Sequence, residues 1–287
     1  MAGWVYHRPS SLREAANLLL RYGAGARLLA GGTDLLVQMK EKKVQVDHVI
    51  SLRGVDGGGT ISDTGLGGLS IGAKVTVGAL EESTLINSRL PGLAQAASLI
   101  GSRQVRNLGT LGGNLCNAAP SADLAPILIA MESVVVIYTL SGERRLPLED
   151  FFLGPSLTVL GPGELMLGVE VPLPGQSSAA GYQKHSIRKA VDIALVGVAA
   201  ALTMGPAGLE KVRLVLGAVA PKPVRAVEAE SILTGSGLSD REIEAAASAA
   251  ARECNPITDL RASEGYRREM VRVLTARLLS QLRKKFA

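Results

Sequence analysis

The chain has 287 residues, of which 47% are hydrophobic and 20% charged, with a formal net charge of +5. This composition is typical of a folded globular protein, and the length suits two or three packed units. No apolar run reaches the roughly 18–20 residues that span a bilayer, and the N-terminus lacks the pattern of a secretory signal. We therefore expect a cytoplasmic protein without a membrane span.

The cysteines and histidines exclude several kinds of site. Cys116 and Cys254 form no CxxC pair; one disulfide between them stays open, although a reducing compartment is the better interpretation. His7, His48 and His185 show no metal-ligand spacing, so we expect no metal in this chain. No catalytic triad order or GxSxG elbow is present, and we assign no catalytic residue. The basic residues lack interleaved aromatic residues, so we expect no nucleic-acid partner.

The first half of the chain predicts helices and strands in a mixed order. Ser11 and Glu14 fit a capping box at the start of the first helix, which Gly23 ends. The predicted elements are a helix over 10–22, a strand over 26–30, a helix over 34–41, strands over 44–52 and 68–77, helices over 78–87 and 91–101, a helix near 122–131 and a strand over 133–140.

The second half predicts a separate unit after a change of composition. The composition changes around 172–180, where the stretch "PLPGQSSAAG" is typical of a linker. Three strand-like runs follow, and three helical stretches then close the chain. We predict the strands over 181–188, 194–204 and 211–220, and the helices over 225–234, 239–252 and 263–285. Strands followed by helices indicate an α+β unit.

Two glycine-rich segments are the candidates for ligand binding: "LLAGGTDLL" (28–36) and "NLGTLGGNLCNAAPSADLAP" (107–126). In the first, Gly31 and Gly32 would form a turn and Thr33 would cap a helix. In the second, Thr110 and Asn114 would add a hydroxyl and an amide. Two such sets of main-chain N–H groups facing each other would suit a pyrophosphate. The competing interpretation is that each is an ordinary tight turn between a strand and a helix.

Three charged residues in or near these segments bear on ligand binding. Asp123 either caps a helix or accepts hydrogen bonds from ligand hydroxyls. Asp34 would repel a pyrophosphate, so we expect its side chain to point away and only its backbone to bind. Lys74 follows a P-loop-like glycine spacing, but it lies in a strand pattern and no Ser or Thr follows it. We therefore reject a P-loop.

The two glycine segments together resemble those of a known family. "AGGTDLL" and "TLGGNLCNAAPSADLAP" are similar to the two flavin motifs of the FAD-binding medium subunit of the molybdenum hydroxylases, the xanthine dehydrogenase and carbon monoxide dehydrogenase family. The stretch "LSIGAKVTVGAL" resembles the segment between the two flavin motifs, and "GELMLGVEVPLP" and "GYQKHSIRKAVDIALVGVAAAL" resemble the passage into the C-terminal domain. The resemblance covers essentially the whole chain.

The resemblance implies an α+β fold with two domains. Residues 1–175 would form a PCMH-type FAD-binding domain, like that of the vanillyl-alcohol oxidase group, with two α+β subdomains divided near 55–60. Residues 176–287 would form a C-terminal α+β domain with a three-stranded antiparallel sheet and a helical bundle.

The resemblance also implies which residues bind FAD, without a covalent bond. Ile100 would lie against the isoalloxazine ring, Asp123 would hold polar groups of the cofactor, and Met166 would lie near the flavin. Lys184 would either stabilise negative charge on the reduced flavin or be an ordinary solvated lysine. The implied cofactor-binding residues are Leu28, Leu29, Ala30, Gly31, Gly32, Thr33, Asp34, Leu35, Ile100, Thr110, Leu111, Gly112, Gly113, Asn114, Asp123, Met166 and Lys184.

By the same resemblance, the chain transfers electrons and does not itself oxidise the organic substrate. Its partners would be a large subunit with a molybdenum cofactor and a small subunit with two 2Fe–2S clusters, arranged as a dimer of heterotrimers. Electrons from the small subunit would pass through FAD to NAD, a quinone or oxygen. Two alternatives stay open: a free-standing flavin oxidoreductase, and a non-catalytic nucleotide-binding assembly subunit.

Overall fold

The computed structural model describes residues 3–188 and 191–286, and its first sheet is parallel. This sheet has the strand order β1, β3, β2, with the strands Val5–His7 (β1), Ala26–Leu29 (β2) and His48–Ser51 (β3). Helix α1 (Leu12–Tyr22) joins β1 to β2, and α2 (Leu35–Lys40) follows β2. Parallel strands need such crossover connections, and α1 and α2 supply them.

Helix α1 begins where the sequence predicted. Ser11 caps it, since its Oγ accepts a hydrogen bond from the Glu14 amide at 3.2 Å. The Glu14 carboxylate, however, accepts from the amide of Ser10 at 2.7 Å and not from that of Ser11. Half of the predicted capping box is therefore present, and the returning bond to Glu14 comes from Ser10, one residue before the cap. Ala15 and Ala16 bury the inner face of the helix.

The second sheet is antiparallel and has five strands in the order β4, β5, β10, β6, β7. Its strands are Ile61–Asp63 (β4), Gly68–Gly72 (β5), Val134–Thr139 (β6), Gly142–Pro147 (β7) and Leu165–Pro172 (β10). A two-stranded ribbon of Phe152–Gly154 (β8) and Leu157–Thr158 (β9) lies between β7 and β10 in the chain. The sequence had predicted β5 and β6, but not the other strands of this sheet.

Six short helices follow β5 before β6 begins. They are Val77–Glu82 (α3), Thr84–Arg89 (α4), Pro91–Ser98 (α5), Arg103–Leu108 (α6), Leu111–Cys116 (α7) and Leu124–Ala130 (α8). The single helix predicted over 78–87 was wrong, because the extended Ser83 ends α3 and its side chain caps α4. No helix was predicted between 101 and 122, and this was wrong, since α6 and α7 lie there.

The C-terminal sheet is antiparallel and has four strands in chain order, so the prediction of three strands was wrong. They are Ser178–His185 (β11), Val196–Gly205 (β12), Gly208–Gly217 (β13) and the two-residue strand Val224–Arg225 (β14). The stretch 172–180 is not a free linker, because β10 ends at Pro172 and β11 begins at Ser178. Three helices end the chain: Val227–Leu233 (α9), Asp240–Glu253 (α10) and Glu264–Arg283 (α11).

The C-terminal sheet is covered on both faces. Residues such as Val198 and Leu214 pack with the buried residues of α10 and α11. Tyr182, Ala199 and Val215 point to the other face and belong to the same core as α5 and α8. This alternation is what a strand buried on both sides requires. In the described part of the chain, every helix is too short or too polar to cross a lipid bilayer.

Candidate cofactor cleft

The two glycine-rich segments meet in the folded chain. Gly31 lies so close to the end of α6 that a Cβ atom on it would be 1.9 Å from the carbonyl oxygen of Leu108. Gly32, the next residue, has a φ of +76°, which favours glycine. The turn after β2 and the segment before α7 are therefore in direct backbone contact, although about 80 residues separate them.

The first segment presents unpaired main-chain donors. Residues 31–35 line a cleft, and within the described residues none of their five amide N–H groups donates a hydrogen bond to another part of the chain. Consecutive N–H groups around a residue of positive φ form an anion-binding concavity. This turn can therefore hold a negatively charged oxygen group without a lysine.

The second segment was expected to present a similar set of free amides, and that expectation was wrong. The amides of Leu111 and Gly112 donate to the carbonyl oxygens of Val75 and Ala73, at 2.9 and 2.8 Å. Those of Gly113 and Asn114 donate to the side chain and the carbonyl of Thr110, at 3.0 and 2.9 Å. The segment is a capped helix bonded to the 73–75 segment between β5 and α3, so its contribution to binding must come from side chains.

Asn114 supplies such a side chain. It lines the cleft, and its Oδ1 atom is buried with no hydrogen-bond partner among the described residues. A buried polar atom without a partner costs free energy, so its presence calls for an explanation such as a ligand. Thr110, which caps α7 and lines the cleft, adds a hydroxyl on the same wall.

The cleft has a volume of about 1470 Å³. Ligand pockets are commonly of roughly 300–1,000 Å³, so this one has room for a ligand of dinucleotide size. Of the residues proposed from the sequence, the following line it: Leu28, Ala30, Gly31, Gly32, Thr33, Asp34, Leu35, Ile100, Thr110, Gly112, Gly113, Asn114, Asp123 and Met166.

The other three proposed residues do not line the cleft. Leu111 is fully buried in the core, and Leu29 packs beneath the turn at Gly32. Lys184 does not reach the cleft itself but pairs with a lining residue, since its Nζ atom is 2.9 Å from Oδ2 of Asp123. Its side chain is only 6% exposed, so the interpretation as a solvated lysine was wrong.

Asp123 joins the cleft to the C-terminal sheet. It begins α8, but its carboxylate makes no capping bond to the helix. Instead, one oxygen accepts from the hydroxyl of Tyr182 at 2.8 Å and the other from the ammonium of Lys184 at 2.9 Å. Burial raises the pKa of the Asp123 carboxyl, and the charge of Lys184 and the two hydrogen bonds oppose that rise. Both partners lie on β11.

Ile100, the residue proposed to lie against the ring, is held through its backbone on two sides. The carbonyl of Leu99, the residue before it, accepts from Nζ of Lys184 at 3.1 Å. Its own carbonyl accepts from Arg106 at 3.0 Å, and Arg106 is paired with Glu81 at 2.7 Å. Two charge-assisted bonds therefore fix the Leu99–Ile100 backbone at the edge of the cleft.

Met166 lies beside Cys116 on the apolar wall, with its Sδ atom 3.7 Å from Sγ of Cys116. Burial raises the pKa of the Cys116 thiol to about 12. A thiol of this kind is not a nucleophile at neutral pH.

The start of α2 differs from the prediction. Its N-cap is Asp34 and not Thr33, and no side chain caps it. Asp34 is among the residues that line the cleft, and partial burial raises the pKa of its carboxyl. With no capping side chain in place, the first N–H groups of α2 stay available to a ligand.

Sequence reasoning missed several polar residues of the cleft, and three of them make hydrogen bonds to other residues that border it. Gln38 and Asn117 line it, and their side chains are 3.3 Å apart, which joins α2 to the end of α7. Asn117 lies within the second glycine-rich segment, so its amide was a visible signal. Lys74, rejected as a P-loop lysine, also lines the cleft, and its ammonium donates to the carbonyl of Val55.

Two family models match the chain. Residues 2–174 match the FAD binding domain in molybdopterin dehydrogenase, and residues 181–282 match the CO dehydrogenase flavoprotein C-terminal domain. The first match alone covers more than half of the 287 residues.

Individual proteins match over nearly the full length. The glyceraldehyde dehydrogenase medium chain of Sulfolobus acidocaldarius is 34% identical, over 96% of this chain and 97% of its own. The carbon monoxide dehydrogenase medium chain of Hydrogenophaga pseudoflava is 35% identical, over 96% of this chain and 95% of its own. The solved carbon monoxide dehydrogenase of the same organism, in a form that lacks the Mo-pyranopterin moiety, superposes with a TM-score of 0.95 at 34% identity, covering 99% of this chain and 98% of that one.

Proposed function

The chain belongs to the family of FAD-binding domains in molybdopterin dehydrogenases, and we propose that it is the flavoprotein subunit of a molybdenum-containing dehydrogenase or hydroxylase complex. It is then the oxidoreductase component that accepts electrons from an iron–sulfur subunit and passes them to NAD, a quinone or oxygen. The relatives named as medium chains support this assignment.

One observation carries the proposal: among the described residues, the five amides of 31–35 have no hydrogen-bond partner, and they belong to a dinucleotide-sized cleft that is also lined by Asn114, whose Oδ1 atom is buried and unpartnered. The residues present fit FAD. Its pyrophosphate needs hydrogen-bond donors, which the amides supply, and its hydroxyl and amide groups can donate to Asn114. The contact between Gly31 and Leu108 keeps the two glycine-rich segments together.

Other residues of the cleft would shape the site and exclude water. Ile100 and Met166 supply apolar surface, and we propose that Asp123, which also lines the cleft, holds a polar group of the cofactor. When bound, FAD can take up electrons singly and release them in pairs, a chemistry that this chain's own side chains cannot perform. The chain's task is therefore to bind and orient the cofactor.

The proposal extends to partners and organisation. We propose a large molybdenum-cofactor subunit and a small subunit with 2Fe–2S clusters, in a dimer of heterotrimers located in the cytoplasm. We place the domain boundary at 175/176, with the first domain divided near 55–60 and of the PCMH type. The change from a parallel to an antiparallel sheet between β3 and β4 supports the inner division.

The test is cofactor content and association. The chain is purified with its copurifying subunits, and separately alone with added FAD, and free flavin is removed by gel filtration. We expect about one FAD per chain from the visible flavin absorbance, and iron and molybdenum only in the other subunits. Absence of flavin from both preparations would leave the non-catalytic assembly subunit as the better reading. Replacing Gly112 and Gly113 with valine should remove the flavin, because a Cβ on Gly112 would lie 2.7 Å from Ala73.

A further inference from the structure

We propose that Tyr182 and Lys184 of β11 are positioning residues for the cofactor cleft. They hold Asp123 and the Leu99–Ile100 backbone in place, so that the C-terminal sheet supports one wall of the cleft from behind. This inference rests on the proposed FAD site, but it concerns residues that do not line the cleft.

The first step is the burial of the charges. The side chains of Lys184 and Asp123 are 6% and 8% exposed, so neither charge is hydrated as it would be at the surface. A buried charge is tolerated only when it is paired and hydrogen-bonded. Because each group is the other's partner, the ion pair fixes the distance between the start of α8 and β11.

The second step is the backbone that the lysine holds. Lys184 also donates to the carbonyl of Leu99, and Ile100 follows as a lining residue of the cleft. On the other side of Ile100, Arg106 provides the second tether. Removal of Lys184 would leave the segment with the tether from Arg106 alone, and the wall could move away from a bound ring.

The third step is the precision with which β11 places these groups. Lys184 is paired with Gly197 on β12, and a Cβ on Gly197 would lie 2.5 Å from the hydroxyl oxygen of Tyr182. The space beside the tyrosine is therefore kept free by a glycine. Tyr182 is 1% exposed, and its hydroxyl is directed at the Asp123 oxygen that Lys184 does not use.

The test uses four variants of the full chain, of which Lys184→Arg keeps a positive charge at the lysine position. Lys184→Met removes the ammonium, Tyr182→Phe removes one hydroxyl and keeps the ring, and Gln183→Ala is the matched control. Gln183 lies between the two on β11, but its side chain is bonded to Gln281 on α11, away from the cleft. Two quantities are measured: amide hydrogen exchange over 99–103 without FAD, and the rate of FAD release followed by flavin fluorescence.

We expect Lys184→Met to speed exchange over 99–103 and to release FAD roughly tenfold faster or more, because loss of one partner leaves a buried charge uncompensated. Tyr182→Phe should act in the same direction by a few-fold, and Lys184→Arg should recover part of the loss. Gln183→Ala should change neither quantity.

Unchanged exchange and release in both Lys184→Met and Tyr182→Phe would overturn the proposal. Faster release with unchanged exchange would also overturn it, since Lys184 would then act on the cofactor itself and not through Leu99. If Lys184→Met does not fold, Tyr182→Phe and Lys184→Arg decide by the same criteria. Failure of the unchanged chain to bind FAD would refute the proposed function. The exchange measurement would still show whether Tyr182 and Lys184 hold the Leu99–Ile100 backbone in place.

Discussion

Gly31 is the residue at which the two walls of the cleft touch. A Cβ there would lie 1.9 Å from a backbone oxygen, which cannot rotate away as a flexible side chain could. Gly31→Ala should therefore separate the turn from Leu108, at a strain of about 1–3 kcal/mol. We expect FAD affinity, measured by titration of flavin fluorescence, to fall at least about tenfold.

Gly59 provides the control for this substitution. A Cβ at Gly59 meets open space, its φ is not positive, and the residue does not line the cleft. Gly59→Ala should therefore bind FAD like the unchanged chain. Equal affinity in Gly31→Ala would show that contact between the two segments is not needed for binding.

The two cysteines allow the cleft to be mapped chemically. Burial raises the pKa of Cys116 to about 12 and also raises that of Cys254. At about pH 8, the thiolate fraction of Cys116 should be roughly a thousandfold below that of a free cysteine, so alkylation by iodoacetamide is slow. Only Cys116 lines the cleft. FAD should slow its alkylation further and leave that of Cys254 unchanged, as measured by peptide mass spectrometry; equal protection of both would contradict the location of the site.

For single residues, the sequence could predict those of the two glycine-rich segments, but it could not predict which distant residues they contact. Gly31 and Gly112 were found because glycine clusters mark close backbone approach. The partner of Asp123 could not be predicted, because Tyr182 and Lys184 are about 60 residues away and their burial depends on the packing of β11. For the same reason, nothing in the sequence indicated that the amides of 111–114 would be used internally.

Among the elements, two short helices, α6 and α7, shape the cleft and were not predicted from the sequence. Helices α6 and α7 have six residues each, and α7 contains two glycines, which disfavour a helix. Local propensity therefore predicted a loop. The helix forms because Thr110 caps it and because two of its amides bond to the 73–75 segment. Longer helices with a capping box, such as α10, were predicted correctly.

Thr110 can be used to test the role of the cap. Thr110→Val keeps the shape of the side chain but removes the oxygen that accepts from the Gly113 amide. We expect the free energy of unfolding, measured with urea, to fall by about 1 kcal/mol. Thr110→Ser keeps the oxygen and should lose less than half as much. Equal losses in the two variants would contradict the role of the cap, because Thr110→Ser keeps the oxygen that accepts from the Gly113 amide.

On the scale of the whole molecule, the C-terminal sheet and the first half of the chain share a core. Gly217 on β13 packs against Pro126 of α8, and the amide of Ala218 donates to the carbonyl of Pro120 at 2.8 Å. The sequence predicted the order of the three long strands and three helices, but it predicted a flexible linker before them. Composition shows where a chain changes character, but it does not show which faces are buried against each other.

Glu132 gives this shared interface a pH dependence. It follows α8, and Lys211 and Arg213 of β13 both pair with it, the latter at 2.8 Å. Burial raises its pKa, but the hydrogen bonds and charges of Lys211 and Arg213 outweigh that rise and leave the pKa lowered. A carboxyl whose pKa is lower when folded stabilises the protein above its unfolded pKa, about 4.3, and this contribution is lost as the pH falls through the folded pKa.

Glu132→Gln should therefore lower the free energy of unfolding by up to about 1 kcal/mol at neutral pH, a modest value because the side chain is about one-third exposed. The difference from the unchanged chain should shrink below about pH 4, where the glutamate itself becomes protonated. Both residues bear the same cost of the positive φ at this position, so that cost cancels. Urea unfolding at the two pH values gives the measurement. Glu210→Gln is the control, since Glu210 is exposed on β13, the strand of Lys211 and Arg213, and has no ion pair among the described residues. A pH-independent loss in Glu132→Gln would mean that shape and packing, and not charge, join α8 to β13.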